Sequence, residues 1–127
     1  MKPIATNLGT PIQAAPTPAV DAPPPQVLRL AEMAAFQDGA VVSRQIVKRA
    51  TGNVTLFAFA AGQGLSEHTA PFDALVHVID GEAVVTIAGE RFPVHAGEAI
   101  VLPANRPHAL DSVTPFRMIL TMIRTTV

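Results

Sequence analysis

Residues 62–81 read GQGLSEHTAPFDALVHVIDG, and residues 97–112 read GEAIVLPANRPHALDS. Each stretch opens on a glycine and carries a histidine that can be placed against that glycine, His68 in the first and His108 in the second. Asp80-Gly81 lies between apolar runs and predicts a tight hairpin turn. Further turn signals follow at short, even intervals: Gly89-Glu90, Ala96-Gly97, Asn105-Arg106-Pro107 and Thr114-Pro115. This rhythm predicts nine short strands: Val41–Ala50, Val54–Ala60, Leu65–Ala70, Ala74–Ile79, Glu82–Ala88, Arg91–His95, Glu98–Leu102, His108–Val113 and Phe116–Arg124. Short strands punctuated in this way argue for an all-β sandwich or barrel. Successive side chains on a strand point to opposite faces. His68 therefore shares a face with Ala70. Ala74, Val76 and Val78 share another, with His77 opposite to them.

The spacing is Gly62-x5-His68-x-Ala70-x3-Ala74-x6-Gly81 and Gly97-x5-Pro103-x-Asn105-x2-His108-x3-Ser112. It resembles the two signature motifs of the cupin family, G-x5-H-x-H-x3,4-E-x6-G and G-x5-P-x-G-x2-H-x3-N. The framework glycines and Pro103 match. Ala70 stands where the family has its second histidine, and Ala74 where it has a glutamate. Asn105 replaces a glycine, which a turn tolerates because Asn accepts a positive φ better than other side chains. Ser112 replaces the final Asn. The resemblance runs over about residues 36–124. It implies an antiparallel double-sheet jelly-roll barrel whose interior gathers the ligand positions. His68 and His108 are then the implied metal ligands, for a divalent transition metal such as zinc, iron, manganese or nickel, or for none.

Two imidazoles alone seldom hold a divalent ion tightly. Catalytic zinc sites use three protein ligands, and non-haem iron uses two His and a carboxylate. Asp73, Glu67 and His77 are the nearest candidates for a third ligand. Alternation points all three away from the interior, and His77 reads as an outward packing or interface residue. His95, at the Ala96-Gly97 turn, reads as an exposed loop histidine. In the last strand Met118, Leu120 and Met122 share one face. Ala70, Ala74, Met118 and Met122 are the expected lining of a soft apolar pocket, with the two imidazoles as its polar anchors.

The rest of the chain sets bounds. Of 127 residues, 49% are hydrophobic and 15% charged, enough apolar material for one buried core. There is no cysteine, so disulfide and thiolate chemistry are excluded. Net charge is -1 with no basic run, so no nucleic-acid partner is expected. No apolar run approaches the ~18 residues of a membrane span, and no membrane partner is expected. With no signal-peptide pattern at the N-terminus, the chain reads as cytoplasmic. Residues 1–26 hold seven of the 12 prolines and read as a Pro/Ala-rich flexible tail. Residues 27–127 read as a single barrel domain. Within it Leu30, Met33, Ala34 and Gln37 recur at helical spacing, so a short helix is expected over Val27–Gln37, stopped by Asp38-Gly39. Val41, Leu75, His77 and Ile79 are candidates for an outward apolar face, and the chain is expected to pair as a homodimer through it. The functional expectation is a small-molecule-binding barrel, with or without a weakly held divalent metal. The alternatives are a metal-dependent enzyme, such as a dioxygenase or isomerase using His68 and His108, and a non-catalytic regulatory or structural barrel.

Overall fold

The computed structural model describes residues 24–125. Of the tail read over residues 1–26, only the last three positions fall among them. The elements are α1 (Leu30–Met33), β1 (Val41–Arg49), β2 (Gly52–Phe59), β3 (Leu65–His68), β4 (Phe72–Asp80), β5 (Glu82–Ile87), β6 (Glu90–His95), β7 (Ala99–Leu102), β8 (His108–Asp111) and β9 (Phe116–Arg124). Every strand pairs antiparallel. One sheet has the order β1-β2-β9-β4-β7 and the other β3-β8-β5-β6. The expected antiparallel double-sheet jelly roll is the fold observed. No helix among the described residues is long and apolar enough to cross a membrane.

The inner faces of both sheets supply the core. Ala74, Val76 and Val78 of β4 are buried, while Asp73, Leu75 and His77 between them are exposed. Ala83, Val85 and Ile87 of β5 and Leu110 of β8 close the cluster from the opposite sheet. At its centre Phe59 and Phe116 lie in register on β2 and β9, their rings stacked at 4.4 Å and 3° from parallel. Both are fully buried, and each side chain taken out of water contributes roughly 1.5–3 kcal/mol.

A second, smaller cluster sits on the outer face of the five-stranded sheet. There Ala34, Leu56 and Ala58 are covered with Met33, Val42, Ile46, Ile79 and Ile119. This cluster revises two expectations. The helix is one turn rather than Val27–Gln37. Ala34 is already extended, at φ -141 and ψ 117. Its carbonyl accepts a 2.8 Å bond from Nε of Arg117, whose guanidinium also covers the Phe36 ring at 4.1 Å and bonds Asp80 at 2.7 Å. These tertiary contacts outweigh the weak helical period. The outward apolar face also differs. Val41 packs on the main core, one residue out of phase with Val42, and Ile79 lies within the second cluster. Leu75 stays exposed on that face opposite Val101 of β7, also exposed.

β3 carries an irregularity that decides where His68 points. Leu65 faces Leu110 and His68 faces His108, so three steps along β3 oppose two along β8. Leu65 packs on the core. Plain alternation from it would send Glu67 inward and His68 outward. The extra residue reverses the phase, as a β-bulge does.

Two turn glycines separate backbone strain from crowding. Gly81 has φ +78, and a Cβ there would sit 2.3 Å from the Pro115 carbonyl oxygen and 2.9 Å from Phe116 Cα. Gly97 has φ +88 with nothing within 4 Å. Gly97→Ala should cost roughly 1–2 kcal/mol from its left-handed backbone alone. Gly81→Ala should cost about 2 kcal/mol more, a further drop in Tm of some ~8–16 °C for a domain of this size. Thermal melts of both variants check this; equal drops would mean that β9 does not press on the Asp80-Gly81 turn.

Candidate functional site

His68 ends β3 and His108 begins β8, and the bulged pairing sets them directly across from each other. Their rings meet edge to face, with centroids 4.5 Å apart and planes at 70°. His108 is 8% exposed, whereas His68 is exposed to solvent. One imidazole is thus buried and its partner stands at the opening. The two rings line a cavity of about 40 Å³ with Ala70, Phe72, Ala74, Leu102, Leu110, Leu120 and Met122. Apart from the imidazoles, every one of these side chains is apolar.

Both rings are oriented by the same device. Nδ1 of His68 lies 2.9 Å from the Ser66 carbonyl oxygen, and Nδ1 of His108 lies 3.1 Å from that of Arg106. A carbonyl oxygen has no proton to give, so each Nδ1 carries the hydrogen and donates it. In a neutral ring Nε2 is then the bare acceptor. No hydrogen bond to either Nε2 occurs among the described residues. Burial holds the His108 imidazole below its ordinary pKa. The Arg106 carbonyl opposes that shift, and the neighbouring His68 adds to it.

The loops around the rings are tied by the residues that depart from the family pattern. Asn105 adopts φ +63 where the motif has glycine. Its backbone N–H donates to the Ala70 carbonyl at 2.8 Å. Ser112 Oγ donates to the Gln63 carbonyl at 2.9 Å, joining the end of β8 to the glycine turn before β3. Asp73 Oδ1 accepts the Ala104 N–H at 3.0 Å. That carboxylate clamps the loop after β7 and faces away from the rings. His77 and Glu67 are exposed. His95, at the end of β6, sits between Glu98 at 3.2 Å and Glu82 at 3.4 Å.

Of the residues singled out from sequence, His68, His108, Ala70, Ala74 and Met122 come together at one cavity. Met118 does not. It is fully buried, opposite Phe57 on one side and Val78 on the other, and belongs to the solid core. Two residues further along the same face, Leu120 lines the cavity instead, as do Phe72, Leu102 and Leu110. Leu120 was within reach of the alternation that picked Met118 and Met122. The other three needed the sheet topology.

The motif resemblance implies a metal at this pair of imidazoles. Among the described residues no three of His, Cys, Asp and Glu are placed so that they could hold a metal ion together. Two lone pairs without a third donor or a compensating negative charge do not fit a resident transition ion.

A family model described as a cupin domain matches residues 55–123. The polyketide synthase CurC of Streptomyces cyaneus is 30% identical over 64 residues, 50% of this chain and 42% of that protein. The chain therefore spans less than half the length of that relative. Among solved structures, a conserved protein of unknown function from Streptococcus pyogenes superposes with a TM-score of 0.78 at 33% identity, covering 84% of this chain and 94% of the other. A cupin 2 conserved barrel domain protein from Leptotrichia buccalis gives 0.74 at 40% identity, covering 76% and 47%.

Two outcomes follow from this geometry. In an NMR titration His108 should show a midpoint below the usual ~6.5 of imidazole. The unfolded chain then binds a proton that the folded one resists. Stability should fall as pH drops from about 6.5 through the lowered folded value, and His108 should contribute no pH dependence above that window. Second, Ala70→His with Ala74→Glu should restore three imidazoles and a carboxylate around one cavity. Its affinity for zinc or nickel should exceed that of the parent by orders of magnitude in calorimetric titration. No gain in a folded double variant would mean that positions 70 and 74 do not address the ion.

Proposed function

The chain belongs to the cupin family, and from that premise we propose that it binds a small, largely apolar molecule inside its barrel. The observation that carries the reading is the pairing of two imidazoles with walls that are otherwise hydrocarbon and thioether. Ala70 and Ala74 occupy the positions where the family motif has a histidine and a glutamate. Space and polarity have both changed there: donor atoms are replaced by methyl groups. An apolar pocket with a few convergent polar groups is the usual form of a small-molecule site. At about 40 Å³ the cavity takes the tip of a molecule, with the remainder lying at the opening beside His68.

A metal-dependent oxygenase or isomerase is less well supported, because it needs a third donor. A reading as an enzyme acting on polyketides has one observation in its favour, the likeness to CurC. An apolar carbon framework carrying oxygen groups would suit the same walls. A regulatory or structural role for a solidly filled barrel is opposed by the cavity itself.

The test is a fragment titration followed by the Met122 and Ala74 methyl resonances. Small neutral aromatic compounds at millimolar concentration should shift both, and Ala74→Leu, which fills the space, should abolish the shift at Met122. If a broad set of fragments moves neither resonance in the parent, the barrel does not bind such molecules.

A further inference from the structure

The hydrogen-bonding state of the two rings specifies the ligand more narrowly, given that the barrel binds a small molecule as proposed above. Each Nδ1 is committed to a backbone carbonyl. What the pair has left to offer is two Nε2 lone pairs, and with both Nδ1 hydrogens spent no side chain of the lining has a hydrogen to donate into the cavity. His108 is more than nine-tenths buried, yet its Nε2 has no partner among the described residues. A buried acceptor without a donor forfeits a hydrogen bond that water would have supplied. A ligand that completes it must bring its own proton. A carboxylate or phosphate presents only acceptors and would meet lone pair against lone pair, with no cationic side chain in the lining. An ammonium brings donors, but no carboxylate lines the cavity to compensate its charge. Ethers and ketones leave Nε2 unsatisfied.

We propose that the cavity takes a neutral, apolar molecule that enters hydroxyl first, as a phenol or alcohol, its O–H donating to Nε2 of His108. The hydroxyl occupies the small cavity between Ala70 and Ala74. The carbon body rests against Phe72 and Met122 at the end where His68 is exposed. An aromatic body gains ring contact with Phe72 and sulfur contact with Met122 there.

The experiment uses the full chain at pH 8, where imidazoles of ordinary pKa are neutral, with phenol, anisole, toluene and benzoate as probes. Long-range proton–nitrogen spectra report the tautomer of each ring and the hydrogen-bonding state of Nε2. Both rings should carry the proton on Nδ1 before any addition. Phenol should move the His108 Nε2 resonance upfield; toluene and anisole should bind without moving it, and benzoate should not bind. His108→Phe should weaken phenol by roughly three- to tenfold, the worth of one hydrogen bond, and leave toluene unchanged. The parent spectra decide the matter even if that variant fails to fold. The proposal is overturned if His108 carries its proton on Nε2, if phenol binds without moving that resonance, or if benzoate binds best. Binding of toluene and anisole as tight as that of phenol would leave a working apolar pocket and sink the hydroxyl assignment alone. Silence from all four probes would overturn the pocket and the assignment together.

Discussion

A side chain on a strand changes sides only when the strand slips by one residue, and that constraint governs everything between β3 and β9. Along β4 the phase is set by Val76 and Val78, fully buried in the core. Ala74 then has no choice but to face inward. Along β9 the buried Phe116 and Met118 place Leu120 and Met122 on the cavity side. Along β8 the buried Leu110 puts His108 inside. At the cavity β3 departs from strict alternation, whereas the shifts in β1 and β4 fall away from it, at Gln45/Val47 and Val78/Asp80. The extra residue of β3 is what converts two histidines distant in sequence into a facing pair. Without it Glu67 would be directed at the buried imidazole.

The chemistry follows from who holds which proton. The backbone oxygens of Ser66 and Arg106 take one hydrogen from each ring and leave the other nitrogen bare. Such second contacts orient metal-binding histidines elsewhere. Here the same arrangement survives while the third and fourth donor positions are methyl groups. A cation loses both coordination number and compensating charge in that exchange. A neutral hydrogen-bond donor loses nothing.

Much of this was legible in the amino-acid order. The strands declared themselves because buried valines and isoleucines alternate with polar residues and because Gly, Pro and Asn mark the turns. The histidine pair was legible through the resemblance to the two cupin motifs. Other features were not. The period at Leu30, Met33 and Ala34 suggested a longer helix, since nothing local reveals that Arg117 reaches across to Ala34 and Phe36. Val41 and Val42 are both apolar, so their phase depended on pairing with Phe59 and Ala58. Met118 and Met122 share a face, yet only one borders open space, because Met118 is enclosed by neighbours from β2 and β4. Asp73 resembled a displaced ligand until its partner, the Ala104 N–H, came into view.

The position of β3 in its sheet has a kinetic meaning. It is an edge strand of four residues, paired on one side only and interrupted by its bulge. The walls on β4, β8 and β9 belong to strands that are longer or doubly paired, while β7 is a second short edge strand, and β3 is tied at its flanks through Gln63 and Ala70. Separating β3 from β8 breaks a few backbone hydrogen bonds and leaves the Phe59–Phe116 centre intact. The wall that carries His68 therefore opens at a sheet margin, by fraying rather than by loosening of the core.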